Sequence, residues 1–250
     1  MYAYIHFNFS VHTSTNGQAS SGCGLYAYTT DPEQPEEGLL KPLTTKGHEA
    51  AAYLTYIVDY YHDLPAFSIF IHGGEEQWHN DLFGSKTIDH LRRIRFEAVQ
   101  VEGFVNLRCT TAPLCPDTWH PLNPQPNDLE YAYLYELFPN IYMELFNVTA
   151  AQLPPRIGHI CCAQFIASRE MIRRRPLNDY KRILQWIAQT EVTDDYGIGF
   201  VMEKLWHIMF GKDPVYCPRE EQCWCDIYGL CGPLSSGEIL YPVNAKQRAV

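Results

Sequence analysis

The stretch from Ile157 to Gly211 constrains the fold most, because its residues spell a buried strand followed by three helices in close succession. Ile160, Cys162, Phe165 and Ile166 form a nearly continuous apolar run with Gln164 as its one amide, the pattern of a strand covered on both faces. Ser168 stands where a helix cap belongs, Glu170 falls in the first turn, and Arg173, Arg174 and Arg175 fall at the end, where the helix dipole favours cations. Pro176 stops that helix and opens the next. From Leu177 to Thr190, Tyr180, Ile183, Leu184, Ile187 and Ala188 recur at three- and four-residue spacing and predict an amphipathic helix. Asp194 and Asp195 open a third helix with Phe200, Val201, Leu205, Ile208 and Met209 as its buried stripe and Gly211 as its stop. Glu203 and His207 fall four apart on it beside Trp206, either as an ordinary polar pair or as part of a site.

The rest of the chain continues the alternation. Lys46, Gly47, His48 and Glu49 precede a helical stripe of Ala50, Tyr53, Leu54, Ile57, Val58 and Tyr61 that ends at Pro65. A glycine at a helix N-terminus either caps it or lets an anion such as a diphosphate approach free N–H groups. Phe67 to Ile71 reads as a buried strand, which leaves His72 at its carboxyl end, where open α/β sheets bind ligands. His79 and Asp81 follow within WHND; with His72 they make either a metal set or separate structural hydrogen bonds. Lys86 to Arg95 fits a helix with Ile88, Leu91 and Ile94 inward, Gly103 to Leu107 a strand followed by Arg108, and Leu129 to Phe138 a helix. Between them, Thr110 to Asp128 carries five prolines and reads as a lid or a surface crossing. Together these elements predict an α/β domain with a partly parallel sheet over residues 25–211, an unassigned segment 1–24, and a cysteine-rich extension 212–250 packed on the domain.

Composition narrows the function. A formal charge of −10 argues against general affinity for nucleic acid or anionic membranes, while a local basic pocket for a phosphate is still allowed; the expected partner is a small-molecule substrate. No apolar run reaches membrane-span length, and MYAYIHFNFS lacks the features of a signal peptide. Nine cysteines suit an oxidising compartment, as do the sequons at Asn8 and Asn147. Cys217, Cys223, Cys225 and Cys231 lie in a Pro/Gly-rich segment with five, one and five intervening residues, which is not a zinc-knuckle spacing, although zinc remains the competing reading. The expectation is two disulfides among these four, one between Cys109 and Cys115, and reduced Cys161 and Cys162, because adjacent strand residues point to opposite faces.

Six separated blocks carry a resemblance: KGHEAAAYLTYIVDYYHDLP; FSIFIHGG with WHND; FVNLRC; CCAQFIASREMIRRRP with DYKRILQW; DDYGIGFVMEKLWHIMFG; and CWCDIYGLC. Across about residues 25 to 231 the chain resembles the fungal family known as domain of unknown function 3431, whose blocks are similar to glycosyltransferases of the type A fold. The resemblance implies a Rossmann-like mixed sheet flanked by helices, a nucleotide-sugar donor and a setting that faces the secretory lumen. Two departures stand out: residues 1–24 do not match the family's usual start, and no Asp-x-Asp for a metal-bound diphosphate occurs, so no metal ligands are assigned. His72 occupies the equivalent strand end.

On this reading Glu203 is the general base, in a setting beside Trp206 that would raise its pKa. Lys46 and the N–H groups around Gly47 and Glu49 hold the diphosphate, and His72 or Arg108 compensates the leaving charge. His79, Gln164, Asp195 and Trp206 complete the substrate-binding set. Another group transfer, such as amide formation from an activated amino acid, and a non-catalytic binding protein remain as alternatives.

Overall fold

A computed structural model describes residues 3–13, 19–30, 38–116, 119–123 and 132–244. Their strands are β1 (Ala3–Thr13), β2 (Ala19–Thr29), β3 (Phe67–Phe70), β4 (Phe104–Asn106) and β5 (Phe165–Ser168). The helices are α1 (Glu49–Tyr60), α2 (Thr87–Leu91), α3 (Phe96–Glu102), α4 (Ala132–Phe146), α5 (Arg169–Arg174), α6 (Leu177–Gln189), α7 (Asp195–Glu203), α8 (Trp206–Met209) and α9 (Glu220–Tyr228).

The strands form one sheet in the order β2-β1-β3-β5-β4, and every neighbouring pair is antiparallel. This corrects the expectation of a partly parallel sheet. Helices α2 and α3 do carry the chain from β3 to a β4 that runs the same way, but β5 inserts between them in the opposite direction. Alternation of strand and helix along the chain cannot reveal that insertion. The segment left unassigned from sequence supplies β1 and most of β2, a hairpin whose first strand pairs with β3 through Phe7↔Ile69 and Asn8↔Ser68.

Period-two burial divides the sheet into two faces. Phe70, Phe165, Phe104 and Ala167 point into the larger core, where α1, α4, α6, α7 and α8 cover them. Phe70 and Phe165 stack at 4.7 Å, and Phe104 stacks on Phe210 at 5.4 Å. Ile69, Ile71, Ile166, Val105 and Leu107 point the other way onto Ala98 and Val99 of α3 and Cys223, Ile227 and Tyr228 of α9. The C-terminal segment therefore closes the second face of the sheet.

Several elements follow the sequence reading closely. Ser168 caps α5 by accepting from Met171 N at 3.1 Å, and Asp194 caps α7 by accepting from Gly197 N at 2.8 Å. Others differ. The apolar run from Ile160 becomes strand only at Phe165; before it, Cys162 (φ 85°) and Ala163 (φ 47°) turn the chain through backbone space that side chains rarely occupy. The third helix breaks at Lys204 and Leu205 into α7 and α8, so Glu203 and His207 do not share one helix. Helix α4 runs on through Pro139 to Phe146, held by buried Phe138, Ile141 and Leu145. Its expected first turn lies outside the described residues, as does part of the 110–128 loop. The helix expected over 86–95 is cut to α2, and Ile88 is exposed rather than inward.

Disulfides are present, but their pairing corrects the expectation. Cys109 bonds Cys223, Cys115 bonds Cys217, Cys225 bonds Cys231, and Cys161 bonds its neighbour Cys162. Cys109 and Cys115 each reach across more than 100 residues, 114 and 102, to the C-terminal segment instead of to each other. Adjacent Cys161 and Cys162 can bond because they lie in a turn, where the opposite-face argument for strands does not apply. Four disulfides are compatible with a secreted or lumenal setting. Among the described residues no helix is long and apolar enough to cross a membrane. The Asn147 side chain is exposed at the C-terminal end of α4, with φ 53°.

Candidate functional site

Because β5 runs antiparallel between β3 and β4, the residue entering β5 meets those leaving the other two. Gln164 thus lies beside His72, and Arg108 follows on the same edge. A cavity of about 850 Å³ opens there. Its walls are His48 and Glu49 at the start of α1, the loop of His72 to His79, Pro113 and Leu114, the Cys161–Cys162 disulfide, and Tyr196, Gly199, Phe200, Glu203 and Lys204 from α7 and its end. Another cavity, of about 530 Å³ beside Gly103, Ser168 and Gly211, holds no comparable cluster, and its Lys212 is paired with Glu102 at 3.0 Å.

Hydrogen bonds at the strand edge determine which ring nitrogens carry protons. The backbone N–H of His72 donates to Gln164 Oε1 at 3.2 Å, which fixes the amide's orientation. Gln164 Nε2 then donates to Asn80 Oδ1 (3.0 Å) and faces His79 Nδ1 (3.3 Å), so His79 Nδ1 accepts. A neutral His79 carries its proton on Nε2 and donates to His72 Nδ1 at 3.2 Å. Burial, followed by the neighbouring His72 and Arg108, lowers His79 to about 3. His72 is also lowered, chiefly by burial. Both rings are neutral near pH 7, and His72, whose Nδ1 accepts from His79, carries its proton on Nε2.

Two carboxylates face the cavity under different constraints. Burial pushes Glu49 up to about 7, with the negative charges of Glu203 and Asp195 adding and a backbone hydrogen bond opposing. Glu203 Oε1 instead accepts from Cys162 N at 2.8 Å, which anchors it to the disulfide turn. Lys204 is buried in the wall, its ammonium 4.0 Å from the Phe200 ring centre and 5.3 Å from that of Trp119. The sulfurs of Cys161 and Cys162 and a Glu203 oxygen lie within 4.8 Å of one another, a set that could take a soft cation only after the disulfide opened.

The other residues singled out from sequence lie around the cavity rather than in it. The Gly47 N–H donates to Asp195 Oδ1, and Lys46 Nζ reaches Thr190 O at 3.2 Å, so both have partners within the protein. Gly47 answers a packing demand: with φ +84°, a Cβ there would meet Ile198 at 2.8 Å and Ile187 at 3.0 Å. Asp195 Oδ2 is also 3.5 Å from His48 Nε2, tying the start of α1 to α7. Arg108 is held by Asp81 at 3.1 Å and points its Nη1 at Cys161 Sγ, 2.6 Å away. Trp206 packs in the core against Tyr53, Phe165 and Phe210. His207 donates its Nε2–H to Pro214 O at 3.0 Å, not to Glu203; burial lowers it to about 4.

Sequence reasoning missed Lys204, Phe200, Tyr196 and the disulfide as cavity walls. A signal existed for part of this set: Tyr196, Gly199 and Phe200, and Glu203 recur at helical spacing on one face of α7. The apolar periodicity places Phe200 in the buried stripe, yet it is only half-buried. Gly199 belongs to the same face because a Cβ there would come within 3.0 Å of His48 Cδ2.

No curated protein and no solved structure matches the chain. The family model described as "Protein of unknown function (DUF3431)" matches residues 15–226, a span that contains every cavity-lining residue named above, and the chain belongs to that family.

Proposed function

We propose that the protein is a glycosyltransferase-like group-transfer enzyme that moves a sugar from a nucleotide donor to an acceptor hydroxyl in a fungal pathway. The observation that carries this reading is Glu49: a carboxyl in an 850 Å³ cavity at the strand ends, held at about 7 by burial. A base poised near neutrality is what removal of an acceptor proton requires. The proton passes to the Glu49 carboxylate as the acceptor oxygen bonds the sugar's anomeric carbon, and the bond from that carbon to the diphosphate breaks with its electron pair on the leaving oxygen. What supports Glu49 over Glu203 as base is that Glu203 accepts a backbone N–H and anchors the opposite wall. Lys204 and the His72 Nε2–H supply positive charge and a donor for the leaving diphosphate, in place of Lys46.

Thermal-shift measurements with a panel of nucleoside diphosphate sugars, each with and without manganese, test the reading. A ligand at about one hundred times its Kd stabilises by about 2.7 kcal/mol, which raises the melting temperature by several degrees. At least one donor is expected to do so. Absence of any shift across the panel rejects the sugar reading in favour of a different group transfer or a binding role.

A further inference from the structure

We propose that the Cys161–Cys162 disulfide is a redox-reactive site that exchanges with a small-molecule thiol of the glutathione class and, when opened, releases Glu203 from the cavity wall. Three observations converge on it. Both cysteines line the cavity, so a thiol small enough to enter can reach the bond. The Arg108 guanidinium lies 2.6 Å from Cys161 Sγ and 3.7 Å from Cys162 Sγ, and is held by Asp81. A fixed cation beside one sulfur makes that sulfur the better leaving thiolate. Finally, Cys162 and Ala163 occupy positive φ, and the Cys162 N–H in this turn holds Glu203 Oε1.

The exchange balances with two thiols. A first thiolate attacks Cys162 Sγ, the S–S bond breaks, and its electron pair leaves on Cys161 Sγ beside Arg108. A second thiolate attacks the small-molecule sulfur of the resulting mixed disulfide and frees Cys162. The protein disulfide is reduced by two electrons, the two thiols are oxidised to their disulfide, and their protons end on Cys161 and Cys162. Opening the ring removes the covalent link that holds Cys162 at positive φ. The turn relaxes toward ordinary backbone angles, and the N–H to Glu203 bond is lost.

The test is made on the folded protein in reduced glutathione, with differential alkylation and peptide mass spectrometry to follow each disulfide and hydrogen exchange to follow the Cys162 amide. Cys115–Cys217, which is partly exposed, reports surface reducibility, and buried Cys109–Cys223 reports unfolding. Alkylation at Cys161 and Cys162 is expected while Cys109–Cys223 stays closed, together with faster exchange at the Cys162 amide. Arg108→Gln should slow the opening of Cys161–Cys162 and leave Cys115–Cys217 unchanged. The proposal is overturned if Cys161–Cys162 opens only together with Cys109–Cys223, if it opens without change at the Cys162 amide, or if Arg108→Gln opens it at the wild-type rate. None of these readouts depends on which donor the cavity takes.

Discussion

Glu49 and Glu203 face the same cavity, yet their surroundings give them opposite tasks. Glu203 is tied to a backbone N–H, whereas Glu49 is disfavoured as an anion by burial and by Glu203 itself. The sign of the effect on stability follows. Folding raises the Glu49 pKa from 4.5 to about 7, so below 4.5 the group is protonated in both states and costs nothing. As pH rises through this window the unfolded chain loses its proton first, and stability falls until the folded pKa is passed. Relative to wild type, Glu49→Gln should therefore gain up to about 3 kcal/mol between pH 4 and pH 8, measured by denaturant unfolding at each pH. Its turnover should fall by about 10²- to 10⁴-fold. A stability difference that does not change with pH would show that Glu49 ionises normally. The sequence identified both glutamates, but it ranked them by proximity to Trp206, which the fold directs into the core. Which carboxylate is desolvated depends on contacts between α1 and α7, which lie far apart in the chain, and no local pattern encodes them.

At the scale of elements, α1 reaches the cavity because its N-terminal turn docks closely on α6 and α7. Gly47 permits that approach, with Ile198 and Ile187 where a side chain would go. Gly47→Ala should cost about 1 to 3 kcal/mol through overpacking and a φ of +84°, and should lower stability without removing any cavity-lining group. Thermal unfolding checks this; an unchanged melting temperature would mean that α1 docks more loosely. Helices α1 and α6 were legible because their apolar stripes repeat at helical period over three turns or more. The boundary of β5 was not, because the residues of Ile160 to Ala163 are as apolar as a strand while a covalent bond between neighbours holds them in a turn. The antiparallel insertion of β5 was equally hidden, since strand direction is a property of pairing and not of the strand's own residues.

For the whole molecule, the C-terminal segment matters more than its loop-like composition suggests. It covers one face of the sheet with Cys223, Ile227 and Tyr228 of α9, and Cys109–Cys223 anchors it across 114 residues. Replacing Cys109 and Cys223 together by alanine should cost about 2 to 5 kcal/mol in denaturant unfolding, because a long loop is no longer closed in the unfolded chain. The cysteines could be recognised as disulfide formers from their Pro/Gly-rich setting, but their partners depended on where α9 lands. The chemistry of the whole molecule centres on one cavity at the strand ends that holds a carboxyl near neutrality. Carbon-13 NMR titration of the Glu49 side-chain carboxyl, in wild type and in Glu203→Gln, measures this directly. A wild-type midpoint of about 7 is expected, and it should fall when the Glu203 charge is removed. A midpoint near 4.5, the same in both proteins, would contradict it.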